Sequence, residues 1–212
     1  MPSINPATLK DAGRSRKGCF TSMTKARRAI TPMPMEPRLR RAYFDCRYGQ
    51  LHMHYAIPAG GGFDEATTLL CIPGAPGSGR FFVPLLPPLG RDRSVYAPDL
   101  PGCGESDGGA EPLTTAATAE ALGDFLDSMH VRHFDLLAHE SGVAIATMLL
   151  QQRGAQVGRV VLSPDTDTVR AEARALHHPS LVIDLRAPDE RGRGGAELER
   201  QAAQLREFLG LA

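Results

Sequence analysis

The feature that most constrains the fold is a strand, a tight turn and a helix that follow one another within residues 134–153. An apolar run begins at Phe134 and suits a buried strand. A strongly apolar helical pattern begins after Gly142, so that residues 138–142 remain for the turn. This order is the context of a nucleophile elbow, a strained turn that lifts one side chain above the edge of a sheet.

Small residues must flank the central residue of such a turn, because its backbone leaves no room for bulk. Ala138 and Gly142 fill these positions and place Glu140 at the centre. A carboxylate can act as a nucleophile, so Glu140 is the predicted attacking group. In the alternative register Ser141 is the centre and larger side chains flank it, which is costly. An elbow that carries no chemistry stays open as a third interpretation.

Composition narrows the class of protein. A chain of 212 residues fits one domain with a full core. The formal net charge of zero gives no reason to expect a nucleic-acid partner. No apolar run reaches the length of a membrane span, and the four cysteines form no CxxC pair, which indicates a reducing compartment. We therefore expect a cytoplasmic protein that binds neither nucleic acid nor membrane.

Residues 1–35 differ in composition from the rest of the chain. Seven basic residues stand there against a single acid, Asp11. A transit peptide can have this composition, but we favour a disordered tail or sequence upstream of the natural start. We therefore assign residues 1–35 to a basic leader and residues 36–212 to one domain.

From residue 40 onward, strand-like runs alternate with helical patterns. A hairpin is predicted around Tyr48 and Gly49. Outside the elbow, further strands are predicted at 67–72, 94–97, 158–162 and 181–185. Helices are predicted at 114–129 and 196–209, and a helical patch broken by prolines at 80–89. Alternation of this kind predicts an α/β fold, a doubly wound and mostly parallel sheet with helices on both faces. Sites in such sheets lie at the carboxyl ends of the strands.

The loop 73–79 lies at that edge and carries three glycines in the order GxxGxG. This order and the lack of a Lys-Ser/Thr pair argue against nucleotide binding. Small residues instead allow backbone N–H groups to approach a reaction centre closely. We assign substrate binding to Gly74, Pro76 and Asp99, and a supporting catalytic role to Asp165.

His52 and His54 stand two residues apart on a predicted strand, so they share one face. Such a pair can bind a metal, but no third ligand lies nearby in the sequence. We favour a partly exposed face at the sheet edge, and expect neither a metal nor a cofactor.

Three segments together resemble, in order and spacing, the N-terminal half of an alpha/beta hydrolase. They are LLCIPGAPGSGRFF, VYAPDLPGCGESD and FDLLAHESGVAIA, followed by VGRVVLSP, and the resemblance covers about residues 40–164. It implies an elbow after the fifth strand and an oxyanion hole formed by the N–H groups of Ala75 and Ser141.

The chain departs from the family at the elbow, where the nucleophile is normally Ser, Asp or Cys. Asp attacks in relatives that open epoxides or displace halide, and Glu140 could act in the same way with an oxygen displaced by about a bond length. The resemblance implies hydrolysis of a small ester, epoxide or related bond. The alternative is a catalytically inactive relative that binds a small molecule or a partner.

The C-terminal third lacks two features that the resemblance implies. The helical lid that the resemblance implies after the strand at 158–162 is missing or reduced to a patch at 171–176. We expect this loss to expose apolar surface and to allow a homodimer. The strand at 181–185 can carry the acid, Asp189, but we favour it as the final strand. No histidine follows it, and His177 and His178 precede it at the opposite edge. His139, beside the elbow, is the remaining candidate base.

Overall fold

The computed structural model describes residues 36–60, 67–74, 76–108, 111–164, 166–186 and 195–210. The predicted leader, residues 1–35, lies outside these ranges and stays a prediction. The strands of the described part are β1 (Arg38–Cys46), β2 (Gly49–Ile57), β3 (Thr68–Ile72), β4 (Val95–Pro98), β5 (Phe134–His139), β6 (Val157–Ser163) and β7 (Ser180–Val182). Its α-helices are α1 (Leu86–Leu89), α2 (Thr115–Ser128), α3 (Gly142–Arg153), α4 (Asp167–Ala175) and α5 (Gly195–Phe208), and a 3-10 turn spans Gly79–Phe82.

The strands form one sheet in the order β1-β2-β4-β3-β5-β6-β7. β1 and β2 form the predicted hairpin and β2 pairs antiparallel with β4, while all other pairs are parallel. The hairpin turns at Gly49, whose φ of 115° suits a residue without a side chain. The predicted doubly wound α/β fold is therefore confirmed.

Helices cover both faces of this sheet. One apolar core lies under α2, α3 and α4 and includes Phe125 and Leu149. The other lies under α1 and α5 and includes Leu86 and Leu205. Threonine side chains cap two helices of the first layer, because Thr114 accepts a hydrogen bond from the first turn of α2 and Thr166 from that of α4. None of the described helices is long and apolar enough to cross a membrane.

The segment interpreted as a remnant of a lid is part of the α/β layer instead. It forms α4, which connects β6 to β7 and buries Val169 and Ala173 in the first core. The structure differs from the expected lid remnant because the apolar residues of this short helix lie on one face, and that face packs on the sheet. Within the described ranges no strand follows β7, in agreement with its interpretation as the last strand; Asp189 lies outside those ranges.

A buried ion pair fixes the end of α5 against the sheet. The guanidinium of Arg93 donates to the carboxylate of Asp135 and to the carbonyl of Leu209. Asp135 also accepts from the backbone N–H of Arg159, whose side chain donates to Leu209 as well. Both members of the pair are almost fully buried, so neither can be lost without leaving the other unpaired.

We expect Asp135→Ala to lower the free energy of unfolding by about 3–5 kcal/mol, because it leaves the Arg93 guanidinium buried without its anion. Asp127→Ala is the matched control. It removes a carboxylate paired with Arg153 at the surface, and a loss of at most about 1 kcal/mol is expected. Urea unfolding of both variants measures the difference, and equal losses would contradict the assignment.

Candidate functional site

The turn after β5 has the strained geometry of an elbow, with Glu140 at its apex. Glu140 has a φ of 48°, in the left-handed region that non-glycine residues seldom adopt and that costs about 1–3 kcal/mol. Its N–H donates to the carbonyl of Ser163 at 2.6 Å, and its own carbonyl accepts from Val143 at 3.0 Å. Ser141 follows in ordinary helical conformation, with a φ of −62°. Glu140 therefore occupies the central position, and the register centred on Ser141 does not form.

Close contacts explain why the neighbours of the apex are small. A Cβ added at Gly142 would lie 2.6 Å from the carbonyl oxygen of Ile72 and 2.7 Å from that of Pro73. A Cβ added at Gly74 would lie 2.6 Å from Cβ of Glu140 and 2.9 Å from its Oε2. The backbone of the loop after β3 therefore packs directly against the side chain of Glu140, and no side chain fits between them.

His139 is held beside the carboxylate of Glu140. Its ring stacks on Phe81, with centroids 4.1 Å apart and planes inclined by 10°. Its Nδ1 lies 3.1 Å from Oγ of Ser163, which also accepts the backbone N–H of Leu185. Its Nε2 lies 3.7 Å from Oε1 of Glu140, whose side chain is 53% exposed. The ring is therefore fixed on three sides and turns Nε2 toward the exposed carboxylate.

Two of the predicted site residues lie outside the described ranges. They are Ala75, expected to donate to an oxyanion, and Asp165, expected to support catalysis, and both stay predictions. Ser141 directly precedes α3, where helix N–H groups favour negative charge. The structure thus places one of the two expected oxyanion donors beside the apex.

A cleft of about 560 Å³ opens next to Ser141. Pro76 and Gly77 line it together with apolar side chains such as Leu100 and Ile145, whereas Gly74, His139 and Glu140 are not among its lining residues. Substrate binding by Gly74 and Pro76 stays a prediction. His177 and His178 lie in a different cleft, before β7, as expected from strand polarity.

Asp99 is buried beneath the cleft and does not line it. Its Oδ1 accepts from Oγ of Ser78 and the N–H of Gly79, both at 2.8 Å. Its Oδ2 accepts from the N–H of Glu105 and lies against Nδ1 of His52, both at 2.9 Å. Burial opposes ionisation of this carboxyl, but the hydrogen bonds together hold its pKa below the ordinary value. Asp99 therefore positions the glycine loop from below.

The prediction of a partly exposed edge for His52 and His54 is wrong. β1 covers β2 on its outer side, and the two rings are 1% and 5% exposed. The fold supplies the third ligand that the neighbouring sequence lacks, because Asp99 lies within reach of both. The signal missed in the sequence is that the antiparallel pairing of β2 with β4 brings the residue after Pro98 next to His52.

Comparisons with known proteins agree with this architecture. A family model described as the alpha/beta hydrolase fold matches residues 67–187, more than half of the chain. RutD of Yersinia enterocolitica, whose name gives a carbamate hydrolase activity as a proposal, is 31% identical over 114 residues, which are 53% of this chain and 41% of that protein.

Solved structures of hydrolases share the fold. The carboxylesterase CesB of Bacillus subtilis is 23% identical, with 65% of this chain and 49% of that chain covered and a TM-score of 0.52. The epoxide hydrolase CorEH is 18% identical, with 59% and 42% covered and a TM-score of 0.53. The chain spans less than half the length of RutD and of both solved structures, and at these identities the two solved structures show the fold alone.

We expect Gly74→Ala to disturb the elbow, because the new methyl group would overlap the side chain of Glu140. Overpacking of this kind costs about 1–3 kcal/mol. Gly60→Ala is the control, since a Cβ there meets nothing within 4 Å. Urea unfolding and the crystal structure of each variant measure the effect; an unmoved Glu140 and unchanged stability in Gly74→Ala would contradict the contact.

The free energy of unfolding should fall as the pH is lowered below about 6.5, the ordinary pKa of histidine. Burial lowers the pKa of His54 and that of His139, and the carboxylates near His139 offset this in part. Because the folded-state pKa values lie below the unfolded ones, the unfolded chain binds more protons in this range, and acid favours it.

Urea unfolding between about pH 8 and pH 5 measures this dependence. His139→Gln should flatten the curve, because it removes one of the two imidazoles whose pKa burial lowers. His177→Gln, which removes an exposed histidine, is the control for the substitution itself. A slope that is the same in wild type and His139→Gln would show that burial of this ring does not contribute.

Proposed function

The chain belongs to the alpha/beta hydrolase fold family, and from this premise we propose that it hydrolyses a small ester, epoxide or related bond through a covalent intermediate on Glu140. The observation that carries the proposal is the position of Glu140. Its carboxylate occupies the strained apex of the elbow, half exposed, at the edge of the sheet where sites of such folds lie.

In the first step, a carboxylate oxygen of Glu140 attacks an electrophilic carbon of the substrate. With an epoxide, a new C–O bond forms as the ring C–O bond breaks, and the ring oxygen takes one proton from the solvent and becomes a hydroxyl. The product of this step is an ester of Glu140, as expected for nucleophilic catalysis by a carboxylate. The N-terminus of α3 favours the negative charge that develops.

In the second step, His139 activates the water that hydrolyses this ester. With the proton on Nδ1, the ring donates to Oγ of Ser163 and leaves a lone pair on Nε2. Burial lowers the pKa of His139, so the ring is neutral and able to accept a proton at neutral pH. As water attacks the carbonyl carbon, Nε2 takes one of its protons. The ester C–O bond then breaks, and the leaving oxygen takes the second proton of that water and departs as the alcohol. Glu140 is left as a carboxylate, and His139 returns its proton to the solvent.

The adjacent cleft favours an apolar substrate of modest size. Its wall is mostly apolar, with hydroxyl groups from the start of α2 and one carboxylate, that of Glu111. Apolar clefts with few polar groups are typical of small-molecule sites. We therefore expect uncharged aliphatic or aromatic epoxides and esters to react before charged ones.

Glu140→Gln should lower kcat/KM for a reactive epoxide or ester by a factor of about 10³ or more, because the amide is a poor nucleophile. Ser141→Ala should change it less than about tenfold, because the residue contributes its backbone N–H. Circular dichroism confirms that both variants fold. Activity lost in Ser141→Ala and kept in Glu140→Gln would reverse the roles of the two residues.

The source of the oxygen in the product separates a covalent intermediate from direct attack by water. In a single turnover in H₂¹⁸O, an ester intermediate leaves the label in the carboxylate of Glu140, where peptide mass spectrometry finds it. Direct attack would place the label in the product instead and would exclude Glu140 as the nucleophile. His139→Gln should accumulate the ester, visible as an increase in protein mass.

A binding protein without catalysis is the second candidate. The observation that favours it is the lining of the cleft, which includes Ser141 but neither Glu140 nor His139. A folded protein that binds compounds from the same panel but turns none of them over would support this alternative. His139 distinguishes the two candidates, since the catalytic proposal requires it to act as the base.

A further inference from the structure

Two imidazoles and a carboxylate converge in the interior, next to the hairpin. His52 and His54 project from the same face of β2, with ring centroids 4.7 Å apart. Asp99 follows β4, which pairs with β2. One ring nitrogen of each histidine and one oxygen of Asp99 all lie within 4.8 Å of one another. The three side chains are at least 95% buried.

Hydrogen bonds within the described part of the chain do not satisfy this cluster. Nε2 of His52 and Nδ1 of His54 are buried, and neither has a hydrogen-bond partner there. A buried polar atom without a partner costs about 1–3 kcal/mol, so two such atoms on neighbouring rings require an explanation. The unpartnered Nδ1 of His54 offers a lone pair in the tautomer protonated on Nε2.

We propose that His52, His54 and Asp99 form a binding site for a first-row transition-metal ion, with Zn²⁺ as its first candidate. Two imidazoles and one carboxylate are a ligand set that Zn²⁺ uses, and nitrogen ligands disfavour Mg²⁺ and Ca²⁺. Three protein ligands leave a fourth position open for water or another small ligand. The ion takes the place of the proton between Nδ1 of His52 and Oδ2 of Asp99, and this ring proton moves to Nε2 of the same imidazole.

The groups around the cluster suit this exchange. When Nδ1 of His52 binds the ion, Nε2 carries the ring proton and points toward Oε2 of Glu105, 3.7 Å away. A carboxylate that holds the far side of a ligating imidazole is a common outer partner. Oδ1 of Asp99 keeps its two donors from Ser78 and Gly79, which fix the orientation of the carboxylate.

Positive charges nearby limit the affinity of the site without removing it. Arg41 and Arg80 act on His54 and disfavour an additional cation. Asp99 and Glu105 oppose them with negative charge, and Glu105 in turn lies 3.9 Å from Arg41.

Because the groups that donate hydrogen bonds to Asp99 belong to the loop that faces Glu140, a bound ion would also stiffen that loop. The site does not depend on the catalytic proposal, since it shares no residue with it.

Metal content of the full chain tests the proposal. Purified protein is treated with a chelator, dialysed against Zn²⁺ and measured by elemental analysis, beside His54→Gln and the control His177→Gln/His178→Gln. The control removes the adjacent surface histidines, which could bind zinc adventitiously. We expect one Zn²⁺ per chain in wild type and control, and affinity lowered by about 100-fold or more in His54→Gln.

Several outcomes would overturn the site: no zinc in wild type, zinc retained in a folded His54→Gln, or zinc lost in the control. If His54→Gln fails to fold, Co²⁺ binding to the control variant decides. Weak absorption bands of a nitrogen- and oxygen-ligated ion, with one Co²⁺ per chain, support the proposal. An intense thiolate-to-metal band would assign the ion to cysteine and exclude this cluster.

Discussion

The site depends on a backbone crossing in which three chain segments approach too closely for side chains to intervene. The elbow lies between the ends of β3 and β6, and its apex N–H donates to the carbonyl of Ser163. Gly142 fits against the carbonyl groups of Ile72 and Pro73 because it has no Cβ. These contacts hold Glu140 at a positive φ, whose strain the parallel register of three buried strands maintains.

The carboxylate of Asp99 provides the second fixed point of this edge. It is buried, yet its two oxygens have four hydrogen-bond partners drawn from β2, the glycine loop and the loop that follows β4. Charge-assisted bonds of this kind offset the cost of removing the carboxylate from water. Asp99 therefore holds the glycine loop in its position over Glu140 by binding the loop from the opposite side.

Local patterns in the sequence were sufficient for most elements and for the elbow. The helical patch predicted at 80–89 is wrong in extent, because the prolines of this segment limit it to a 3-10 turn and the four-residue helix α1. The hairpin follows from Tyr48 and Gly49, and the register of the elbow follows from the small side chains of Ala138 and Gly142. Contacts between distant residues could not be read in this way. The alternation of side chains along the strand shows that His52 and His54 share a face. It does not show what buries that face, because the residues that pack on it, such as Asp99, lie about fifty positions away in the sequence. The contact of His139 with Ser163 likewise depends on the pairing of β5 with β6.

A glutamate at the apex is compatible with the geometry of the elbow because Gly74 makes room for it. Oε2 of Glu140 lies where it would be only 2.9 Å from a Cβ at position 74, so the longer side chain folds back over the glycine. The methylene group that glutamate has in addition to aspartate is therefore accommodated beside the loop, and the carboxylate stays at the site. The half-exposed carboxylate lies 3.7 Å from Nε2 of His139. The proposed attack by this carboxylate requires a side chain that can move on a backbone that stays fixed, and exposure of the side chain together with the contacts of the elbow backbone meets both conditions.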